Sequence, residues 1–535
     1  MKNRYKRIFL RRDTVICVVV ASVALAANVG LAKDPADWRP TERWRGFNLL
    51  GMFRAPGDTS DHRAPGYFTE DEFQWIHDWG FNFVRLPMDY RHWIVDGDWN
   101  TFDEKVFERL DKVVEWGTKY GIHVQFCFHR APGFSVLGWE KQDKLQLRDS
   151  DVPLQAFAKQ WAAFARHYRD VPNERLSFNL VNEPSFPEER YVHIAQTLIA
   201  AIRKEDPKRF IIADGNRTAS RPVPGLYPVP GVGQAMRGYA PHTLTHYRVF
   251  YFPEASFKPV WPLTRESPVG GALWGRGETG HDRFAVADAP AGRWEFSFGR
   301  VDGPVTLAFA ADGKPLRTVA FDPKEDDGAR WLYPKKRGAL LSASATESVF
   351  LDLPAPVKEL SVEAVSGKVA VLGSVTVVSP EGRKATLGTW LPGGGGVDPR
   401  RNANLRQRFS GFGETVPFRV AEATGPYDLR GASTPGEGFV REFCDFMRWE
   451  DPAIAARDMF VMVGEFGPRA SSPLAEVLAF TEDQLRYWKS RGWGWALWNL
   501  RGYCGVLDNG RTDVPLEDFH GHKLDRALLE LLRKW

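Results

Sequence analysis

The feature that most constrains this chain is a recurring unit without a recurring motif. A short apolar run ends in polar residues and gives way to an amphipathic segment, six times before the pattern breaks and twice after it resumes. The runs are RGFNLLG from Arg45, FNFVRLP from Phe81, IHVQFCFH from Ile122, LSFNLVNE from Leu176, RFIIADG from Arg209 and AMRGYAP from Ala235, then FVMVGEF from Phe460 and GWALWNL from Gly494. Runs of this kind read as strands, and the segments between most of them carry apolar residues at helical spacing. Val106, Phe107, Leu110, Val113, Val114 and Gly117 form one such face, behind Asp103 as a capping residue. The unit after RFIIADG instead holds the Pro-rich stretch RPVPGLYPVPG, which speaks against a helix there. Eight βα units predict a closed (β/α)8 TIM barrel.

Between roughly Arg265 and Arg430 the period changes to two. Trp294, Phe296 and Phe298 alternate with polar residues, as do Val305, Leu307 and Phe309, and then Val349, Leu351 and Leu353. Alternation without helices predicts an antiparallel β-sandwich, and the Gly-rich run at 393–396 suits a connector near its end. The expected organisation is a barrel in two parts, 37–264 and 433–535, with a sandwich of residues 265–432 inserted after the sixth strand. An insertion at that point leaves from a βα loop, on the face where barrels carry their sites.

Residues 1–26 stand apart. Lys2, Arg4, Lys6, Arg7, Arg11 and Arg12 precede the apolar run TVICVVVASVALA, and Ala24 and Ala26 fit cleavage after Ala26, with Ala32 as a second place. This predicts export, to the periplasm or beyond, and no stable membrane insertion after cleavage, since the run is short for a span. Cleavage would remove six basic residues and one acid, taking the formal charge from +4 to −1. The basicity therefore belongs to the signal, and a nucleic-acid partner loses its support. Cys127, Cys444 and Cys504 would remain, too few for a disulfide framework but enough for one bridge, and no Cys/His cluster points to a metal.

The polar residues at the C-terminal ends of the strands are Arg85, His129, Asn182, Glu183, Glu465 and Trp498. Two apolar strands end in a carboxylate, in LVNEP at Glu183 and VGEFG at Glu465. One such Glu is ordinarily a charge escaping to solvent. Two on different strands of one barrel are what glycosidic cleavage requires: a carboxyl that protonates the leaving oxygen and a carboxylate that attacks, or activates water, from the other side.

LVNEP, VGEFG, the VRLP strand and the Trp of ALWN together resemble glycoside hydrolase family 5, the cellulase family, over about 44–261 and 438–535. The resemblance implies that Glu183 is the acid/base and Glu465 the nucleophile of a retaining mechanism. It further implies that Asn182 bonds the sugar 2-hydroxyl, Arg85 holds the nucleophile ionised, His129 lines the reacting subsite and Trp498 forms its floor. In RGYAPHTLTHYR, Tyr239 fits the tyrosine expected beside the nucleophile and His246 the cleft wall. Arg237 departs from the family, which commonly has His there. A fixed cation beside Glu183 would oppose a general acid. The expectation is therefore that Arg237 points off the reacting centre into a salt bridge, because an unpaired buried charge is costly.

The sequence thus predicts a hydrolase of β-linked polysaccharide or oligosaccharide, of endo-β-1,4-glucanase type, needing no cofactor or metal. β-Mannanase or β-glucosidase specificity on the same mechanism is the alternative, and a non-catalytic glycan-binding barrel the rival from another class. Trp274, Trp331 and Trp390 of the insertion are candidates for stacking on sugar rings or for covering a core. Oligomeric state leaves no mark.

Overall fold

A computed structural model describes residues 38–58, 67–136, 143–247, 259, 261–262, 271–274, 283–321, 344–388, 405–409, 411–412, 416–417 and 436–535. Residues 1–26, expected from sequence to direct export, the Gly-rich run, Trp331 and Trp390 lie outside the described residues, and of Trp274 only the backbone is described.

Eight parallel strands form the barrel: β1 (Arg45–Asn48), β2 (Phe83–Asp89), β3 (His123–Ala131), β4 (Leu176–Asn179), β5 (Ile211–Asp214), β6 (Val232–Gly238), β7 (Val461–Phe466) and β8 (Gly494–Leu497). Each pairs with its neighbours in sequence, and β8 returns to β1, so no edge remains. Long helices cover most of the crossovers: α1 (Glu70–Asp78), α2 (Lys105–Lys119), α3 (Asp151–Tyr168) and α4 (Glu188–Glu205), then α5 (Glu437–Phe446), α6 (Leu474–Ser490) and α7 (Arg526–Lys534). After β5 there is a short turn at Asn216–Ala219, and the Pro-rich stretch that follows forms a 3-10 turn at Pro224–Leu226. The last helix begins at Arg526, after a small hairpin that takes up His522–Leu524.

The pleat sorts the side chains. Phe47, Val84, Leu86, Val124, Phe126, Phe128, Phe178, Ile211 and Val463 join the core between strands and helices. Residues of the opposite parity face the barrel axis. Trp44, Phe83, Phe210, Ile212, Ala235, Met462 and Ala496 fill its lower part with apolar side chains. Above them the inward positions turn polar, with Asn48, Arg85, Asn179, Asp214 and Arg237 all buried.

β7 breaks this rule at one place. Its register against both β6 and β8 shifts after Val463, so that Glu465 pairs with Arg237 and Phe466 with Leu497. Val461 and Val463 face the helices, and strict alternation would send Glu465 the same way. The bulge at Gly464 reverses the phase, turning Glu465 into the barrel and Phe466 out against Trp488.

Among the described residues between β6 and β7, nine strands form a second, largely antiparallel sheet. Its two long strands, Gly292–Ala311 and Val357–Val378, run side by side with several register shifts. Trp294, Phe296, Phe298, Val305, Leu307, Phe309, Val349, Leu351 and Leu353 are buried in a hydrophobic cluster of its own. The period-two positions are thus its core. Among the described residues no helix is long and apolar enough to cross a membrane, and Cys127, Cys444 and Cys504 are buried.

Candidate active site

The polar layer at the top of the barrel is organised by two arginines. Arg85, fully buried on β2, uses all five of its N–H groups. Nε donates to Asn179 Oδ1 (2.9 Å), Nη1 to Asn48 Oδ1 (2.9 Å) and Glu465 Oε1 (2.6 Å), and Nη2 to Asn182 Oδ1 (2.8 Å) and Cys127 Sγ (3.0 Å). Such a saturated guanidinium is a rigid part, and it fixes the position of Glu465. The second oxygen of Glu465 accepts from the Tyr239 hydroxyl (3.1 Å).

Arg237 corrects the expectation drawn from sequence. It does pair with an acid, Asp214, through a close Nη2 contact, yet it does not leave the centre. Nε donates to Glu183 Oε1 (2.8 Å), Nη2 donates to Asn182 Oδ1 (2.8 Å), and Nη2 lies 3.4 Å from Glu465 Oε1. The reason is the pleat. Arg237 and Tyr239 are two residues apart, so both face the axis, and a guanidinium with five donors reaches a structural acid and the site together. Gly464 makes the room, because a Cβ there would stand 2.9 Å from Arg237 Nη1.

Glu183 lies just past the end of β4 with its backbone in the left-handed region (φ 48°). Asp214 holds that turn by accepting from the Glu183 N–H (2.9 Å), and its other oxygen accepts from Asn179 Nδ2 (3.0 Å). The following loop is clamped by the turn after β5, where Arg217, Thr218 and Ala219 are all left-handed (φ 55°, 57° and 56°). Thr218 N donates to Pro184 O (3.0 Å) and Phe186 N to Asn216 Oδ1 (3.1 Å). Left-handed non-glycine residues cost roughly 1 kcal/mol each, and such strain collects at functional sites.

Burial, then the nearby charges of Glu465 and Asp214, push the Glu183 carboxyl up to about 7 against the pull of Arg237. The count of buried charges explains the direction. Arg85 and Arg237 balance Asp214 and Glu465, so a proton on Glu183 leaves the cluster neutral. Arg237 does pull against the general acid, as the sequence-based reading holds, but burial and the charge of Glu465 outweigh it.

Of the other residues singled out, Asn182 sits between the two arginines with its Oδ1 occupied twice, while its Nδ2 has no partner. His129 is buried between Phe53 and Trp498, with ring centroids 4.6 and 5.8 Å away. Burial and the surrounding arginines hold it well below its usual range, hence neutral, and its Nδ1 has no partner. Trp498, joined to Asn499 by a cis peptide, forms an apolar cluster with Leu50, Phe53 and Cys504. His246, half-buried, stands beside Tyr239 with centroids 5.3 Å apart, and His242 stands next to it at 4.8 Å. The sequence reading missed Asp214, Asn48, Asn179 and Phe53. Asp214, Asn48 and Asn179 had a visible signal, since each is the last residue of a barrel strand.

Comparison with known proteins bears on the same residues. The family model for cellulase, glycosyl hydrolase family 5, matches residues 44–250, a span that includes Glu183 and stops before Glu465. A β-xylosidase of Phanerodontia chrysosporium is 30% identical over 29% of this chain and 33% of its own. Cellodextrinase A of Ruminococcus flavefaciens is 32% identical over 31% of this chain and 49% of its own. The chain thus spans half or less of the length of these curated relatives. A crystal structure of a glycoside hydrolase superposes with a TM-score of 0.55 at 21% identity, covering 92% of this chain and 99% of that one, which bears on fold alone.

Proposed function

We propose that this chain, whose residues 44–250 match the family model for cellulase, glycosyl hydrolase family 5, is a retaining β-glycosidase with Glu183 as acid/base and Glu465 as nucleophile. The observation that carries this reading is the division of labour between two carboxyls in one cluster, Glu465 buried and Glu183 half-buried. Glu465 is held by Arg85 and Tyr239, whereas Glu183 is driven towards its neutral form near pH 7. One is gripped by a guanidinium and a phenol while the other retains a proton, the difference that double displacement needs.

In the first step Glu465 attacks the anomeric carbon while Glu183 gives its proton to the departing glycosidic oxygen, leaving an ester on Glu465. In the second, Glu183 takes a proton from water as that water attacks the same carbon, and Glu465 leaves as carboxylate. The free Nδ2 of Asn182 supplies a donor for a sugar hydroxyl beside the nucleophile. Trp498, with Phe53 behind it, supplies an apolar wall for a sugar face.

For substrate we propose a β-linked glucan chain or its oligosaccharides, a reading supported by the relative named cellodextrinase. The relative named β-xylosidase supports a xylose-configured substrate as the second reading. We also propose that the basic and apolar N-terminal segment exports the protein, which a mature N-terminus at Ala27 would bear out. The test of function is a screen of purified protein on β-glucans, mannans, xylans and the matching aryl β-glycosides, beside Glu183→Gln and Glu465→Gln. Turnover of a β-glucan by the native chain alone is expected. Equal product from all three proteins would overturn the assignment.

A further inference from the structure

Among the described residues, Arg217, Thr218 and Ala219 are the one run of consecutive non-glycine residues in the left-handed region (φ 55°, 57° and 56°), and the run lies against the loop that carries Glu183. Residues with a side chain avoid that region. Several in a row persist only where the surroundings over-determine them, a pattern that gathers at functional sites. We propose that this turn builds the leaving-group subsite, in which the Arg217 guanidinium and the Thr218 hydroxyl bind a departing or accepting sugar by its hydroxyls. It rests on the glycosidase reading above, which assigns no residue to that subsite.

The turn is gripped from several sides. The buried Asn216 accepts through Oδ1 from Phe186 N (3.1 Å) and Arg217 N (2.9 Å), and its Nδ2 donates to Phe186 O (2.9 Å). Thr218 N donates to the carbonyl of Pro184 (3.0 Å), the residue directly after the acid/base. On the far side Trp449 Nε1 donates to Ser220 O (2.8 Å). A Cβ on Gly215 would stand 2.5 Å from Arg221 O and 2.8 Å from Trp449 Cζ2, so the chain is packed there as well. Asp214, Gly215, Asn216 and Ala219 are all buried, whereas Arg217 and Thr218 are exposed. The strained backbone therefore holds two polar side chains out of a packed segment, beside the residue that follows Glu183.

The acid/base protonates the oxygen that joins the two sugars, so the chain running on from it borders the departing one. Trp498, Phe53 and His129 come from β8, the loop after β1 and β3, and they wall the reacting sugar instead. Among the described residues no hydrogen bond or ion pair engages the Arg217 guanidinium. Its donors are thus available to neighbouring hydroxyls of one ring. Thr218 Oγ1 donates its proton to Arg217 O (2.6 Å), which leaves its lone pairs to accept. A donor fork beside an acceptor suits the paired hydroxyls of a sugar. The same contacts serve the second step when a sugar replaces water. The acceptor hydroxyl then attacks the anomeric carbon, gives its proton to Glu183 and releases Glu465 as carboxylate.

The test sets a sugar leaving group against one that fills no sugar subsite. Native chain, Arg217→Ala, Arg217→Lys and Thr218→Val are assayed on cellotetraose and on β-cellobiosyl fluoride, or on the xylo- or manno-configured pair if the substrate screen selects it. The ratio of kcat/KM on the tetrasaccharide to that on the fluoride should fall about tenfold or more in Arg217→Ala and severalfold in Thr218→Val. Arg217→Lys, which keeps a charged donor, should retain most of it. A purely structural role would lower both substrates together and leave the ratio where it was, so an unmoved ratio in Arg217→Ala would overturn the proposal. The native chain gives a second readout that needs no variant. Trapped as its 2-deoxy-2-fluoro-cellobiosyl ester, it should regain activity faster, and saturably, as cellobiose is added. Reactivation at a rate independent of cellobiose would also overturn the proposal. A native chain inactive on gluco-, xylo- and manno-configured fluorides alike would instead sink the glycosidase reading, and this subsite with it.

Discussion

Glu183→Gln should abolish turnover on unactivated substrates and, at the same time, stabilise the fold in alkaline solution. Glu183 ordinarily would titrate at 4.5 and here does so at about 7. The difference means that the folded chain holds this proton roughly 3 kcal/mol more tightly than the unfolded chain does. The sign follows from which state lets go first. Below 4.5 both states are protonated and the extra proton affinity is fully expressed as stability. Between 4.5 and 7 the unfolded chain has already released its proton, so stability falls as pH rises, and the loss levels off above 7. Glutamine never pays this penalty, and its amide oxygen can still accept from Arg237 Nε. Thermal unfolding of both proteins at pH 4 and pH 8 is the assay. At pH 4 the two melting temperatures should agree within about 2 °C; at pH 8 the variant should melt several degrees higher, since about 1 kcal/mol is worth a few degrees in a domain of this size. A variant no more stable than the native protein at pH 8 would refute the reasoning, because it would mean that Glu183 is not a buried, proton-holding acid.

Three further outcomes follow from the same geometry. Arg85→Lys offers three donors where five acceptors wait, so it should cost about 3–5 kcal/mol in denaturant unfolding, as broken buried pairs do, together with most of kcat. Glu465→Ala should abolish hydrolysis, while azide should return some of it on an activated aryl glycoside as a glycosyl azide of inverted anomeric configuration, visible by NMR. Replacing 266–432 with a short Gly/Ser loop should leave a folded, cooperative barrel by circular dichroism, because the inserted sheet buries its own core. If the insertion holds glycan, polymer hydrolysis should then fall while small aryl glycosides are turned over as before.

The parallel strands were legible because each apolar run ends in polar residues, and those ends form the candidate site: Arg85, Asn182, Glu183 and Trp498 all come from this rule. Arg237 was misread for a reason the same sequence contained. Tyr239 was assigned to the site, and a strand's period of two carries Arg237 to the same side. Pairing with an acid and reaching the centre were treated as alternatives, whereas a guanidinium does both. Glu465 is the reverse case, a residue that does face into the barrel where alternation alone would have turned it out, since Val463 points at the helices. The bulge at Gly464 that rescues it depends on the space beside Arg237 and on the registers of two neighbouring strands, none of which is local in sequence. In the inserted sheet the buried face was readable from Trp294 to Phe298 and Val349 to Leu353. Its connectivity was not, because pairings such as Leu405–Arg408 alongside Arg283–Ala289 join residues more than a hundred apart.

The central claim is that Glu465 becomes covalently bound to the sugar during turnover, and mass spectrometry can ask this directly. Enzyme incubated with a 2,4-dinitrophenyl 2-deoxy-2-fluoro-β-glycoside of the sugar best turned over is digested and its peptides are sequenced. One fluoroglycosyl adduct per chain is predicted, on the carboxyl of Glu465 within VMVGEFG, forming as activity is lost and leaving as activity returns. An active enzyme that releases product of inverted configuration and carries no adduct, or carries it on Glu183, would contradict the account.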